Sequence, residues 1–200
     1  MIRNLNAKLK SIILLGSLGL IIGLSEVYAE QFPAGTTYQT CFTPGEDCTR
    51  LITNLIDGAK ESLFIQAYSF TSAPIAHAIL EAKKRGVTVN IILDKSQVKN
   101  NQYSSNTFLQ NNAITTYVDY KPAIAHNKII IIDKKTLITG SFNFTKAAQF
   151  KNAENILVIH DKSLSQKYIT NWQNRLARSI PSNEYVQKKS TLKKTFKNIV

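Results

Sequence analysis

An imidazole, an ammonium, a hydroxyl and a carboxamide fall within one short run, HNKIIIIDKKTLITGSFN, from His126 to Asn143. The order is His126-x-Lys128, four residues to Asp133, and six more to Gly140-Ser141-x-Asn143. Drawn together by two adjacent strands, these groups would suit a phosphodiester. The imidazole can attack phosphorus, while Lys128, Ser141 and Asn143 bind the nonbridging oxygens whose charge grows during displacement. His126 and Lys128 lie two apart on an expected strand and share a face, and Ser141 and Asn143 repeat that relation just past the partner strand. Asp133 counts among the candidate catalytic residues because it belongs to the pattern. Its opposite strand parity argues against a direct role and for a structural or interface one.

Two strands must therefore carry the groups, and the flanking sequence supplies them. Lys128 to Asp133 reads as a buried strand, Lys134-Lys135 as a tight turn, and Thr136 to Gly140 as the hairpin partner. Upstream, Thr36 to Phe42 and Leu63 to Tyr68 are expected strands. Between them, Leu51, Ile52, Leu55, Ile56 and Ala59 mark one stripe of a helix over Thr49 to Ser62. A second helix starts at the Thr71-Ser72 cap ahead of Pro74 and stops near Arg85-Gly86, leading into the β-branched run Val87 to Leu93. A short helix at Asn106 to Gln110, a strand at Ile114 to Val118, a short helix from Thr145 and a strand at Asn155 to Ile159 follow. Ser163 to Ala177 closes the domain as a helix burying Tyr168, Trp172 and Leu176. This alternation predicts a single α/β domain over 30–180, a mixed β-sheet with helices on both faces. Asp57, Asp94 and Asp119 read as ordinary surface or turn residues.

The 200 residues carry a formal net charge of +12. Arg3, Lys8 and Lys10 precede an uncharged apolar run from Ser11 to Leu24 and the small-residue pattern Val27-Tyr28-Ala29. Residues 1–29 thus read as a secretory signal peptide cleaved near Ala29, giving a periplasmic or secreted protein. Its removal leaves 22 basic against 12 acidic residues, so the excess belongs to the working chain. Such a balance attracts polyanions, nucleic acid and anionic lipid alike, and also fits charge spread evenly for solubility. Cys41 and Cys48 flank the turn Pro44-Gly45, which in an exported protein predicts a small disulfide loop. From Pro181 the chain turns basic, with five lysines and no acidic residue after Glu184, and 181–200 is expected to be a disordered tail.

Six specified positions at about one in twenty each match by chance roughly once in 10⁸ starting points. The run resembles the motif of the phospholipase D superfamily, and Glu154, eleven residues after Asn143 at the start of another apolar run, is similar to its next element. LFIQAYSFT (Leu63 to Thr71), AKKRGV (Ala82 to Val87) and GSFNFTKAA (Gly140 to Ala148) resemble the small bacterial Nuc-type endonuclease branch, the likeness covering roughly Thr37 to Arg178. The resemblance implies a phospholipase D-like fold and a reaction in which His126 forms a phosphohistidine that water hydrolyses. It also implies that Glu154 holds the imidazole's other nitrogen.

A second imidazole must protonate the departing alkoxide. His77 sits in a helix among alanines and His160 caps a strand, so the acid is expected to be His126 of a second subunit, in a two-fold homodimer with one shared site. Neither metal nor cofactor is required on this scheme. The implied activity is a metal-independent, sequence-nonspecific endonuclease acting on DNA, with RNA as a further candidate substrate. The alternative is a phospholipase D or cardiolipin hydrolase using the same site on phospholipid. A third reading is a noncatalytic polyanion-binding protein that keeps the fold, against which the complete motif argues.

Overall fold

The computed structural model of the protein describes residues 29–98 and 105–197. The expected signal peptide, residues 1–29, falls almost wholly outside them. From Phe32 onward the described chain forms one unit. Its elements run β1 (Thr37–Thr43), α1 (Cys48–Asp57), β2 (Ser62–Ala67), α2 (Ala73–Lys84), β3 (Thr88–Asp94), α3 (Ser105–Asn111) and β4 (Thr116–Asp119). They continue as β5 (Lys128–Ile132), β6 (Thr136–Gly140), α4 (Lys146–Phe150), β7 (Glu154–His160), α5 (Lys162–Leu176), β8 (Ile180–Pro181) and α6 (Ser182–Lys197).

The strands form one sheet in the order β1-β7-β6-β5-β2-β3-β4-β8. β2, β3 and β4 are mutually parallel and every other pairing is antiparallel, so the sheet is mixed. β5, five buried residues in a row, is central and covered on both faces, which is why its sequence shows no alternation. One face packs Ile52 and Ile56 of α1 and Ile75 and Ile79 of α2 against Ile65, Ile130 and Ile138. The other seats α5, whose Ile169 joins Ile129, Ile131 and Leu137. There Trp172 donates its indole N–H to the Ile65 carbonyl at 3.0 Å and meets Phe64 edge-on at 5.2 Å. The polar indole tip is thus satisfied within an apolar contact. Cys41 of β1 and Cys48 at the start of α1 form a disulfide, with Cα atoms 5.6 Å apart.

Three local expectations need correction. The first helix ends at Asp57, a turn before Ser62, because the chain beyond it is held by Asp133. That carboxylate accepts backbone N–H bonds from Lys60, Glu61 (2.7 Å) and Ser62. The hairpin turn is centred on Asp133-Lys134, at φ 51° and 57°, with Lys135 N–H bonded to the Ile132 carbonyl. Positive φ at both central residues is the geometry that matches strand twist, and aspartate tolerates it.

The tail is not disordered where it is described. Ile180 and Pro181 pair with β4, and α6 follows. Ser182 is fully buried, its hydroxyl 2.6 Å from that of Thr116 and accepting from Gln110 at 2.8 Å. Composition alone reported the lysines and missed this anchor.

Asp133 is expected to contribute to stability through its bonds to the N–H groups of Lys60, Glu61 and Ser62. Burial raises its pKa, but the N–H groups of Glu61, Ser62 and Lys60 and the nearby Lys135 charge outweigh burial and hold it below the ordinary 3.8. A carboxyl depressed on folding stabilises fully above its unfolded pKa and stops doing so as pH falls through the folded one. Asp133→Ala orphans three donors and is expected to cost on the order of 3 kcal/mol at neutral pH. Urea unfolding should show the gap between the Asp133→Asn and parent proteins shrinking below pH 4; a pH-independent gap would refute the ionised role.

Candidate active site

Strand directions bring one end of β2, β5, β6 and β7 to the same edge: Ala67 pairs with Lys128, and the register places Gly140 next to Lys128 and Ile156. The carboxyl ends of parallel β3 and β4 lie at this same edge, where α/β sheets bind ligands. Lys128 opens β5 and is 7% exposed, whereas His126, two residues earlier in the incoming loop, is exposed. The Lys128 ammonium donates to the His126 carbonyl at 2.8 Å and stands 3.0 Å from both ring nitrogens. One of these nitrogens carries the lone pair and the other an N–H, and the two point apart, so an ammonium equidistant from both is in line with neither. Burial lowers the Lys128 pKa, and the nearby Glu154 charge partly restores it.

Ser141 follows Gly140, where a methyl group would collide with the Asn155 carbonyl. Glycine thus lets β6 close on β7 and places the Ser141 hydroxyl 2.6 Å from Glu154, to which it donates. The same oxygen accepts from the Asn155 backbone N–H at 3.0 Å. Asn143 lies one residue before the short bridge of Phe144 to Phe70, half-buried, with its Oδ1 enclosed and unpartnered. An orphan acceptor costs on the order of 1–3 kcal/mol, a strain tolerated where function needs the group.

His126, Lys128, Ser141, Asn143 and Glu154 are thus gathered at one edge. Asp133 is not: it lies past the other end of β5, so its place among the catalytic candidates gives way to the structural role. Glu154 is engaged by Ser141 and by Asn152 at 2.9 Å and not by His126, so within one chain it does not orient the imidazole as expected. His160 lies at the opposite end of β7, its Nδ1 3.0 Å from the Thr136 hydroxyl, and His77 rests against Phe108. One chain therefore brings one imidazole to the edge.

Several contributors were missed. Tyr68, just past β2, sets its ring 4.4 Å from His126 and lies 5.1 Å from the Lys128 ammonium, forming a wall for both. An aromatic ending an apolar run reads as core, which hid it. Asp94 and Asp119, expected at the surface, are 1% and 2% exposed. Asp94 accepts from the Ala125 N–H at 2.7 Å, and Lys95 donates to the Pro122 carbonyl at 2.8 Å. Together they strap the His126 loop to the end of β3. Asp119 is paired with Arg175 of α5, whose Nε lies at 2.6 Å. Among the described residues, the group of three close ligating side chains is Cys41, Glu46 and Cys48, whose sulfurs are spent on the disulfide.

A mixed sheet carrying His-x-Lys, Gly-Ser-x-Asn and a glutamate at one edge defines the phosphodiesterase class built on the phospholipase D-like domain. Residues 52–176 match the family model described as "Cardiolipin synthase, PLD-like domain". The chain belongs to the phospholipase D superfamily. It is 51% identical over 138 residues to a phospholipase D from Rickettsia conorii, covering 69% of this chain and 68% of that one. It is 30% identical to the mouse mitochondrial cardiolipin hydrolase, over 72% of this chain and 66% of the other. Among solved structures it is similar to the phospholipase D family member Nuc from Salmonella typhimurium. That likeness has a TM-score of 0.68 and 37% identity, covering 73% of this chain and 97% of that one.

Proposed function

We propose that the protein is an exported, sequence-nonspecific endonuclease that hydrolyses nucleic-acid phosphodiesters without a catalytic metal. The observation that carries this reading is the exposed His126 imidazole standing over the Lys128 ammonium, a nucleophile beside a fixed positive charge at an open sheet edge. The basic excess, the branch-type GSFNFTKAA segment and the likeness to nearly the whole of Nuc favour nucleic acid. In the proposed reaction a His126 nitrogen bonds to phosphorus as the P–O bond to the leaving alkoxide breaks, and a second imidazole gives that oxygen its proton. Water then attacks the phosphohistidine and frees the nitrogen. Lys128 and Asn143 bind the nonbridging oxygens throughout, and Ser141 joins them by turning its hydroxyl proton from Glu154 to the phosphate.

With one imidazole per chain at the site, the acid is proposed to be His126 of a two-fold partner. A second reading, hydrolysis of phospholipid at the same site, is favoured by the names of the Rickettsia and mitochondrial relatives. Parallel incubation with plasmid DNA and with cardiolipin or phosphatidylcholine vesicles, all in excess EDTA, decides between them. DNA cleavage undiminished by chelator is expected. Cleavage of lipid alone would replace the nuclease reading, and loss restored by a divalent ion would sink the metal-free mechanism.

A further inference from the structure

Beside the catalytic edge, a cleft of about 590 Å³ opens between α1, the start of α2 and α4. It is continuous with the site along the chain: Thr71 lies three residues past Tyr68, and Lys146 three past Asn143. Gln149 fixes its floor, accepting from Thr49 N–H at 2.8 Å and donating to the Glu46 carbonyl at 2.9 Å. One wall is Ser72, the N-cap of the twelve-residue α2. Ser72 is 5% exposed and its side chain makes no capping bond. In the first turn of α2 Pro74 has no N–H, and the amides of Ala73 and Ile75 are left without a side-chain cap.

Arg50 and Lys146 line the same cleft, and Lys146 forms no ion pair among the described residues. Asp47, also lining it, is occupied in capping α1 through the Arg50 N–H. The remaining surfaces are apolar plates, chiefly Pro74 and the Phe150 side chain, 67% exposed.

A serine hydroxyl lining the cleft, an uncapped helix N-terminus, the Lys146 ammonium and, beside it, an Arg50 guanidinium paired with Asp47 at 3.9 Å surround an exposed aromatic ring and fit a phosphate joined to a flat base. An acyl chain would cover the hydroxyl and amides without satisfying them. We propose that this cleft is a subsite for the nucleotide flanking the scissile phosphodiester, with its phosphate at Ser72 between Lys146 and Arg50 and its base on Phe150. The inference rests on the nuclease reading and extends it to how a strand is held.

The test compares kcat/KM for a single-stranded oligothymidylate with that for bis(p-nitrophenyl) phosphate, which carries no flanking nucleotide. In Lys146→Ala/Phe150→Ala the ratio is expected to fall at least tenfold through the oligonucleotide KM, and in Ser72→Ala more modestly. Lys146→Ala should also reduce the slope of log KM against log salt by about 0.7, one phosphate contact on a single strand. A ratio within twofold of the parent, with oligonucleotide still cut, overturns the subsite alone. A parent protein that cleaves cardiolipin vesicles and no oligonucleotide overturns the nuclease reading and the nucleotide occupant with it.

Discussion

His126→Ala is expected to lower kcat toward every phosphodiester by about 10⁴-fold or more, because it removes the only imidazole that a chain brings to the catalytic edge. The fold should be untouched. His126 is exposed, and among the described residues its ring meets Tyr68 and the Lys128 ammonium, so unfolding free energy should shift by no more than about 0.5 kcal/mol. Loss in both nuclease and lipase assays, with unaltered urea unfolding, assigns the residue to chemistry. A variant with near-parental kcat and a raised KM would make His126 a binding group and return the search for a nucleophile to the beginning. Lys128→Met should lose activity similarly, but being 7% exposed and bonded to the His126 carbonyl it also risks the loop's position. The alanine at 126 is therefore the cleaner test.

The largest effect per substitution is expected from a dimer carrying one altered chain. If one subunit's His126 attacks and its partner's protonates the leaving oxygen, a mixed dimer of parent and His126→Ala chains lacks one of the two and should be nearly inactive. Independent sites would retain about half the activity per dimer. Differently tagged chains, co-expressed and purified in tandem, give the mixed species. Half-activity in the mixed dimer would refute the shared site and leave the proton donor to be sought elsewhere in the single chain.

The motif was legible because its chemistry is written in residue types at fixed spacing, and the paired apolar runs around it stated that two strands would hold it. Strand parity set Asp133 apart from His126, and the bonds to residues 60–62 give the physical content of that separation. What remained hidden depends on contacts between segments distant in sequence. Nothing in the run ILDKS says that Asp94 will reach Ala125, thirty-one residues on. Nor does an isolated Tyr68 declare whether its ring will enter the core or stand beside a histidine. The basic tail misled for the same reason: one buried serine and a two-residue pairing hold its start, and neither has a compositional signature.

That two-residue strand bears on how the sheet ends. β8 is the outermost strand beside β4, and it offers almost no further backbone for pairing, since proline has no N–H to donate. Short, proline-bearing edges are a means by which β proteins avoid growing into aggregates. Trimming the chain at Ser179, as its composition would tempt one to do, strips this guard. The carbonyls and amides of Tyr117 and Val118 would become an open template, and the buried hydroxyl of Thr116 would lose Ser182. Ile180, Pro181 and Ser182 are thus expected to guard the sheet against self-association, whatever the lysines that follow bind.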